Sequence, residues 1–160
     1  MTLLSSSASA LAAAIRSERA GVQALVHALT EERQLLTEGN TDPLTETGAR
    51  KRALLLDIAR LGDQRNRMLR QQGISAEGRG LGAVIDSSAA TNEIRAEWQL
   101  LIETTRQARQ LNEANGLIIA DGMRANQQAL SVLLSAGSAG TYGPGGRTLN
   151  PLSSRTLGSA

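Results

Sequence analysis

The chain of 160 residues has no Phe, one Trp and one Tyr, so aromatic rings cannot fill its interior as they do in ordinary globular cores. It also has no Cys, which excludes disulfides and thiolate sites. The pI of about 9.9 is no sign of a basic surface, because the formal net charge is only +2 and nearly all cations are arginines, which do not titrate in the accessible range. The strong helix formers Ala, Leu, Glu, Gln and Arg are abundant and favour an all-α fold.

The first predicted helix covers residues 4–38. Its seam positions recur in alternating steps of four and three residues from Leu4 to Leu36, and polar Glu18 and Glu32 interrupt the apolar series. This spacing is typical of a helix packed along a coiled-coil-like seam. Gly39-Asn40 is a typical helix end.

The second predicted helix covers residues 43–72. Asp42 is suited to accept hydrogen bonds from the first free amides, and Pro43 fits the first helical position. Because the connector is short, we expect the first two helices to pair antiparallel. The apolar stripe of this helix consists of Leu54, Ile58, Leu61 and Met68, widened by Leu55 and Leu69.

The third predicted helix covers about residues 83–134, with its start between residues 83 and 91, and follows a segment, residues 73–82, with four glycines. Residues 135–160 change to Ser, Gly, Thr and Pro without an acidic residue, which is typical of a segment that buries too little apolar surface to fold. The sequence therefore predicts an antiparallel three-helix, coiled-coil-like bundle over residues 1–134 and a disordered tail over residues 135–160.

No pattern of catalytic or ligand-binding residues emerges from the chain. His27 is its single His, and without Cys it has no partners for a metal site. Glu93 and Glu97 lie one helical turn apart but lack the second pair that a di-metal site needs. The glycines at 78–82 and 143–146 do not connect a strand to a helix, as phosphate loops do. We expect no enzyme, no cofactor and no metal.

The largest charge asymmetry is a basic cluster that begins at Arg50-Lys51-Arg52 and continues to Arg70. Nucleic-acid binding would call for stacking aromatics or a known binding fold, which are missing. We instead expect the cluster to face acidic residues of the third helix, including Glu93, Glu97, Glu103 and Glu113. The N-terminus lacks the basic start of a signal peptide and no apolar run could span a bilayer, which predicts a cytoplasmic protein without membrane insertion.

The segment Asn112-Glu113-Ala114-Asn115-Gly116 interrupts the apolar stripe of the third helix. Gly116 costs about 1 kcal/mol relative to Ala in a helix interior. One interpretation is that the Asn residues fix helix register while Gly116 allows close helix approach. The other is that the helix is weak here, so that its C-terminal part can repack on a partner. The residues alone favour neither.

Three parts of the sequence resemble the FlgN family of flagellar export chaperones. They are Asn112-x-x-Asn115-Gly116-x-Ile118-Ile119, then Asn126-x-x-Ala129-Leu130-x-x-Leu133, then Thr141-Tyr142-Gly143-x-x-Gly146. The run Lys51-Arg52-x-Leu54-Leu55 and the lone Trp98 agree with that pattern.

The resemblance implies a helical cytoplasmic chaperone that binds the hook–filament junction proteins FlgK and FlgL and delivers them to the flagellar export gate. It implies that Tyr142 contacts the gate and that cargo binds the late third helix and the tail. The residues that we nominate for cargo binding are Asn115, Gly116, Leu117, Ile118, Met123, Leu130, Leu133 and Leu134.

Two alternatives stay open at this point. The protein could be a chaperone for another type III secretion substrate, or a structural coiled-coil protein that self-associates through the same seams. The chaperone hypothesis predicts a monomer or weak homodimer, whereas the structural hypothesis predicts a stable homo-oligomer.

Overall fold

A computed structural model describes residues 5–73, 82, 85 and 90–139, with the side chains of 5, 6 and 136–139 excepted. These residues form three long α-helices: α1 (Ser5–Glu38), α2 (Leu44–Gln71) and α3 (Asn92–Ala139). The predicted all-α fold is confirmed, and the first two predicted helices agree with α1 and α2 to within one residue at each end. The chain divides into two compact units, Met1–Ile119 and Ala120–Ala160. The boundary between the two units therefore falls within α3.

The third helix differs from the prediction at both ends. It begins at Asn92, one residue after the predicted range 83–91. Thr91 caps it, because the Thr91 hydroxyl accepts from the backbone N–H of Ile94 at 3.3 Å. It continues to Ala139 rather than ending at 134. Residues 135–139 contain two alanines, the residues of highest helix propensity, and composition alone understated that preference. The predicted linker residues 74–81 and tail residues 140–160 lie outside the described residues.

A tight turn reverses the chain between α1 and α2. Gly39 has φ +69°, its N–H donates to the Leu36 carbonyl at 3.3 Å, and the Asn40 N–H donates to the Leu35 carbonyl at 3.0 Å. This is a Schellman motif, and Gly adopts its left-handed position without strain. Asp42 was predicted to cap α2, but Pro43 occupies the cap position and no side chain caps that end.

Ion pairs fix the relative directions of the helices. Glu18 of α1 pairs with Arg65 of α2, and Glu32 of α1 pairs with Lys51 of α2. Residue numbers therefore increase along α1 in the direction in which they decrease along α2. Hence α1 and α2 are antiparallel, as predicted. Arg16 of α1 contacts Glu93 and Glu97 near the start of α3, while Asn115 of α3 donates to the Leu29 carbonyl further along α1. Therefore α1 and the part of α3 within Met1–Ile119 run parallel.

The core follows the predicted seam of α1. The seam positions from Ala8 to Glu32 are all buried, and Leu11, Ile15 and Leu29 are almost completely so. Gly21 lets α2 approach closely, because a Cβ there would lie 3.2 Å from Ile58 Cγ1. The buried apolar residues that α2, α3 and the segment before α3 add to this core are Leu69, Ile85, Ala90, Ile94, Leu101 and Ala108.

Two polar layers cross the core where Glu18 and Glu32 interrupt the seam. In the first layer, Glu18 pairs with Arg65 at 2.5 Å, and the Arg65 guanidinium lies 5.6 Å from the centroid of the Trp98 ring. An arginine over an indole face at this distance makes a favourable cation–π contact. Each of the three helices therefore contributes one side chain to this layer.

The second layer is built in the same way. Lys51 Nζ donates to both carboxylate oxygens of Glu32, at 2.8 and 3.0 Å. Asn115 Nδ2 donates to Glu32 Oε2 and to the Leu29 carbonyl, each at 2.8 Å. The carboxylate is thus satisfied from two helices, as a buried charge requires.

The expected partners of the basic cluster were wrong. Arg50, Lys51 and Arg65 pair with Glu31, Glu32 and Glu18 of α1, not with acidic residues of α3. The reason is the seam itself. Thr47, Lys51, Leu54, Ile58, Leu61, Arg65 and Met68 also alternate steps of four and three, so Lys51 and Arg65 point at α1 rather than outward. Glu93 and Glu97 are paired by Arg16 and Arg19 of α1.

Two carboxylates have pKa values shifted in opposite directions. Burial raises the pKa of Glu18 above its ordinary value, and Arg65 offsets only part of that effect. The hydrogen bond from Arg16, followed by that from Arg19, lowers the pKa of Glu97. Glu18 therefore holds its proton to higher pH in the native state than in the unfolded chain, while Glu97 releases its proton at lower pH.

We expect these two residues to give opposite pH trends in the free energy of unfolding. The contribution of Glu18 is greatest below the ordinary glutamate pKa of 4.5 and declines as pH rises through its raised native value. The contribution of Glu97 is present above the unfolded pKa and is lost as pH falls through its lowered native value. Relative to the native sequence, Glu18→Gln should gain stability from acidic to neutral pH and Glu97→Gln should lose it. Urea unfolding across that range checks this, and parallel trends for both variants would contradict the assignment.

Candidate partner-binding surface

An exposed apolar face lies on the later part of α3, within the unit Ala120–Ala160. We define the late-helix face as Met123, Leu130, Leu133 and Leu134, whose exposed fractions are 60, 59, 67 and 74%. Leu130 follows Met123 by seven residues, and Leu133 and Leu134 follow Leu130 by three and four, which places all of them on one side of the helix. Single exposed leucines are ordinary, but several along one face mark an interaction surface.

Charge is sparse around this face. Asp121 and Arg124 pair with each other at 2.8 Å within the helix, which leaves little net charge beside the face. Isolated helices are marginal in water, and in most proteins packing of an apolar face stabilises them. The local chemistry therefore favours an apolar partner surface over an ionic one.

The structure places the other nominated residues individually. Leu117 is 68% exposed, Gly116 is exposed and Ile118 is half-buried. Asn115 is different, since it is 1% exposed and its amide is bound to α1, which assigns it to the second polar layer rather than to an open surface. Tyr142 lies outside the described residues.

Two exposed residues of the same region were missed, Ile119 and Val132, which are 41 and 64% exposed. Val132 lies seven residues after Ala125 and three after Ala129, a spacing that also fits a helix seam. From sequence spacing alone, a seam residue with a helix partner cannot be distinguished from one without.

The structure bears on the first interpretation of the Asn-Gly segment, that the Asn residues fix register and Gly116 allows close approach. Asn115 joins α1 by hydrogen bonds, as the register interpretation requires. Close helix approach at Gly116 is not observed, because a Cβ added there would meet nothing within 4 Å. The helix is continuous through both positions.

Other kinds of site find no support in the described part of the chain. His27 is exposed, as expected. No group of three His, Asp or Glu residues in the described ranges is arranged to hold a metal ion. None of the three helices has the length and apolarity to cross a membrane.

Comparison with known proteins gives a consistent result. The family model of the FlgN protein matches residues 1–150. Relatives include the Flagella synthesis protein FlgN of Salmonella typhimurium and that of Salmonella typhi, each 37% identical over 60 residues. That alignment covers 38% of this chain and 43% of each relative, so the chain spans less than half the length of the curated relatives it matches. No solved structure matches the chain.

Proposed function

The chain belongs to the FlgN family, and we propose that it is a non-catalytic export chaperone of the bacterial flagellum. In this proposal it binds the hook-associated proteins FlgK and FlgL in the cytoplasm and delivers them to the flagellar type III export gate. The family match is one support. The other, specific to this molecule, is the late-helix face, an apolar surface without a partner among the described residues.

The physical basis is the packing of one amphipathic helix against another. Filament-type proteins have terminal segments that fold only on assembly, and their apolar faces would otherwise associate too early. A helix that presents apolar residues at steps of three, four and seven can cover such a segment. Met123 and Leu130 are suitable anchors because each is more than half exposed before binding.

The expected affinity is moderate. Each Leu or Met that becomes fully buried contributes about 1.5–3 kcal/mol before the cost of ordering the partner. Three or four anchors therefore support a complex that forms readily and can still be released at the gate. A delivery chaperone needs both properties.

Tyr142 is proposed as the contact with the export gate. It is the single tyrosine of the chain and lies between Gly140 and Gly143. Replacement of Tyr142 by Ala should leave cargo binding intact and abolish capture by the export-gate protein. Loss of cargo binding in that variant would contradict the separation of the two roles.

Light scattering behind size-exclusion chromatography tests the main proposal. The full chain alone should elute as a monomer or weak homodimer, and addition of a FlgK-type protein should give a discrete complex. A stable homo-oligomer that ignores FlgK and FlgL would instead favour the structural coiled-coil hypothesis. Binding of a different secreted substrate in their place would assign the chain to another type III cargo.

A further inference from the structure

A cavity of about 320 Å³ opens among the three helices within the unit Met1–Ile119. Its α1 wall includes Val22 and Leu25, and its α2 wall includes Leu55 and Ile58. Leu55 is 50% exposed, so the cavity reaches the protein surface as a groove. Pockets that bind partners are commonly of this kind, largely apolar with a few polar groups at the rim.

The groove exists because α3 presents small side chains there. Between Leu101 and Leu111 the seam positions of α3 are Thr105 and Ala108, and both line the groove. Both side chains are shorter than the Leu and Ile residues that line the opposite walls. Protein interiors are normally packed to crystal-like density, and an unfilled apolar space forfeits contacts along its walls.

The rim adds a positive charge. Arg109 lines the groove, is exposed, and has no acidic partner among the described residues. The two other charged groups at the groove are already paired, Lys51 with Glu32 and Glu18 with Arg65. The free charge at the groove is therefore that of one arginine, which complements a carboxylate on whatever occupies the space.

We propose that this groove seats an amphipathic helix of the cargo, which inserts an apolar side chain against Leu25 and Ile58 and pairs a carboxylate with Arg109. The inference rests on the proposed chaperone function and adds to it a second cargo contact, on the bundle itself. A helix that carries Leu or Ile beside Glu or Asp at a spacing of three or four residues meets both requirements.

The test compares two variants of the full chain with matched controls in calorimetric titrations with a FlgK-type protein. Ala108→Leu fills the groove from within and should weaken cargo binding about tenfold or more, while stabilising the free protein. Its control is Ala59→Leu, on an exposed position of α2. Arg109→Gln should weaken binding about two- to fivefold and reduce its salt dependence, as expected for a rim charge. Its control is Arg33→Gln, an exposed arginine of α1 away from the groove.

The outcomes separate this inference from the proposed function. Normal affinity and normal salt dependence in both variants would overturn the groove site and leave the chaperone function intact. If the native chain binds no hook-associated protein, both proposals fail. If Ala108→Leu does not fold, Arg109→Gln decides, because it changes only a surface charge. If Arg109→Gln weakens cargo binding but a folded Ala108→Leu binds cargo normally, the proposed insertion of an apolar side chain into the groove is wrong.

Discussion

A variant with Leu130 and Leu133 both replaced by Asp is expected to lose its complex with FlgK-type cargo while keeping its helical content. Both side chains are exposed, at 59 and 67%, so their replacement removes little packing from the described fold. Burial of two leucines contributes about 3–6 kcal/mol to a helix-on-helix interface, and two buried carboxylates would add a desolvation cost. We therefore expect affinity to fall by more than about 100-fold.

Circular dichroism and light scattering check this result together. Leu56→Asp is the matched control, because Leu56 of α2 is 74% exposed and lies outside the late-helix face and the groove. The control should bind cargo normally. Unchanged affinity in the double variant would show that cargo binds elsewhere on the chain, and the late-helix face would no longer support the proposed function.

Replacement of Lys51 by Met is expected to destabilise the bundle by about 2–4 kcal/mol. Glu32 is only 5% exposed. In the variant its carboxylate keeps the hydrogen bond from the Asn115 amide but loses the only cation that touches it in the described structure. Breaking a buried ion pair from one side leaves an uncompensated charge, and the 22% exposure of the Lys51 side chain places the expected loss toward the lower end of the usual range. Guanidinium unfolding measures this loss.

The triple variant Glu32→Leu, Lys51→Leu, Asn115→Leu provides the control for that interpretation. With all three polar groups gone, no charge is left buried in the second polar layer, and apolar replacements of a buried ion pair are often neutral or stabilising. The triple variant should therefore recover most or all of the stability that Lys51→Met loses. A triple variant as unstable as the single one would show that packing, and not the orphaned carboxylate, causes the loss.

The helices of this fold could be predicted because local signals mark their ends and faces. Alternating steps of four and three defined the α1 seam, and Gly39 and Pro43 marked the turn into α2. The start of α3 was harder to predict, because Thr91 is one of several polar residues in that region. Only the hydrogen bond that it accepts from Ile94 identifies Thr91 as the cap. The helix over 135–139 was missed because composition was averaged over a window that also held the Gly- and Pro-containing residues after it.

The candidate site was predictable only in outline. Periodicity identifies apolar stripes on α3 but does not say which parts of them are covered, and coverage depends on helices far away in sequence. Asn115 illustrates this point, since its environment is set by Leu29 and Glu32 of α1. The groove beside Ala108 could not be foreseen either, because a void depends on the side chains of three helices at one level.

The distribution of charge between the two polar layers has a consequence for a protein that is proposed to carry unfolded helices. Both buried carboxylates, Glu18 and Glu32, belong to α1, and both cations that neutralise them, Arg65 and Lys51, belong to α2. A foreign helix with a continuous apolar seam that displaced α2 would leave two acids in the core without a cation, at a cost of several kcal/mol for each. The α1–α2 hairpin is thus protected against invasion by the class of helix that the protein is proposed to carry, and client segments are restricted to the surfaces that remain open to them.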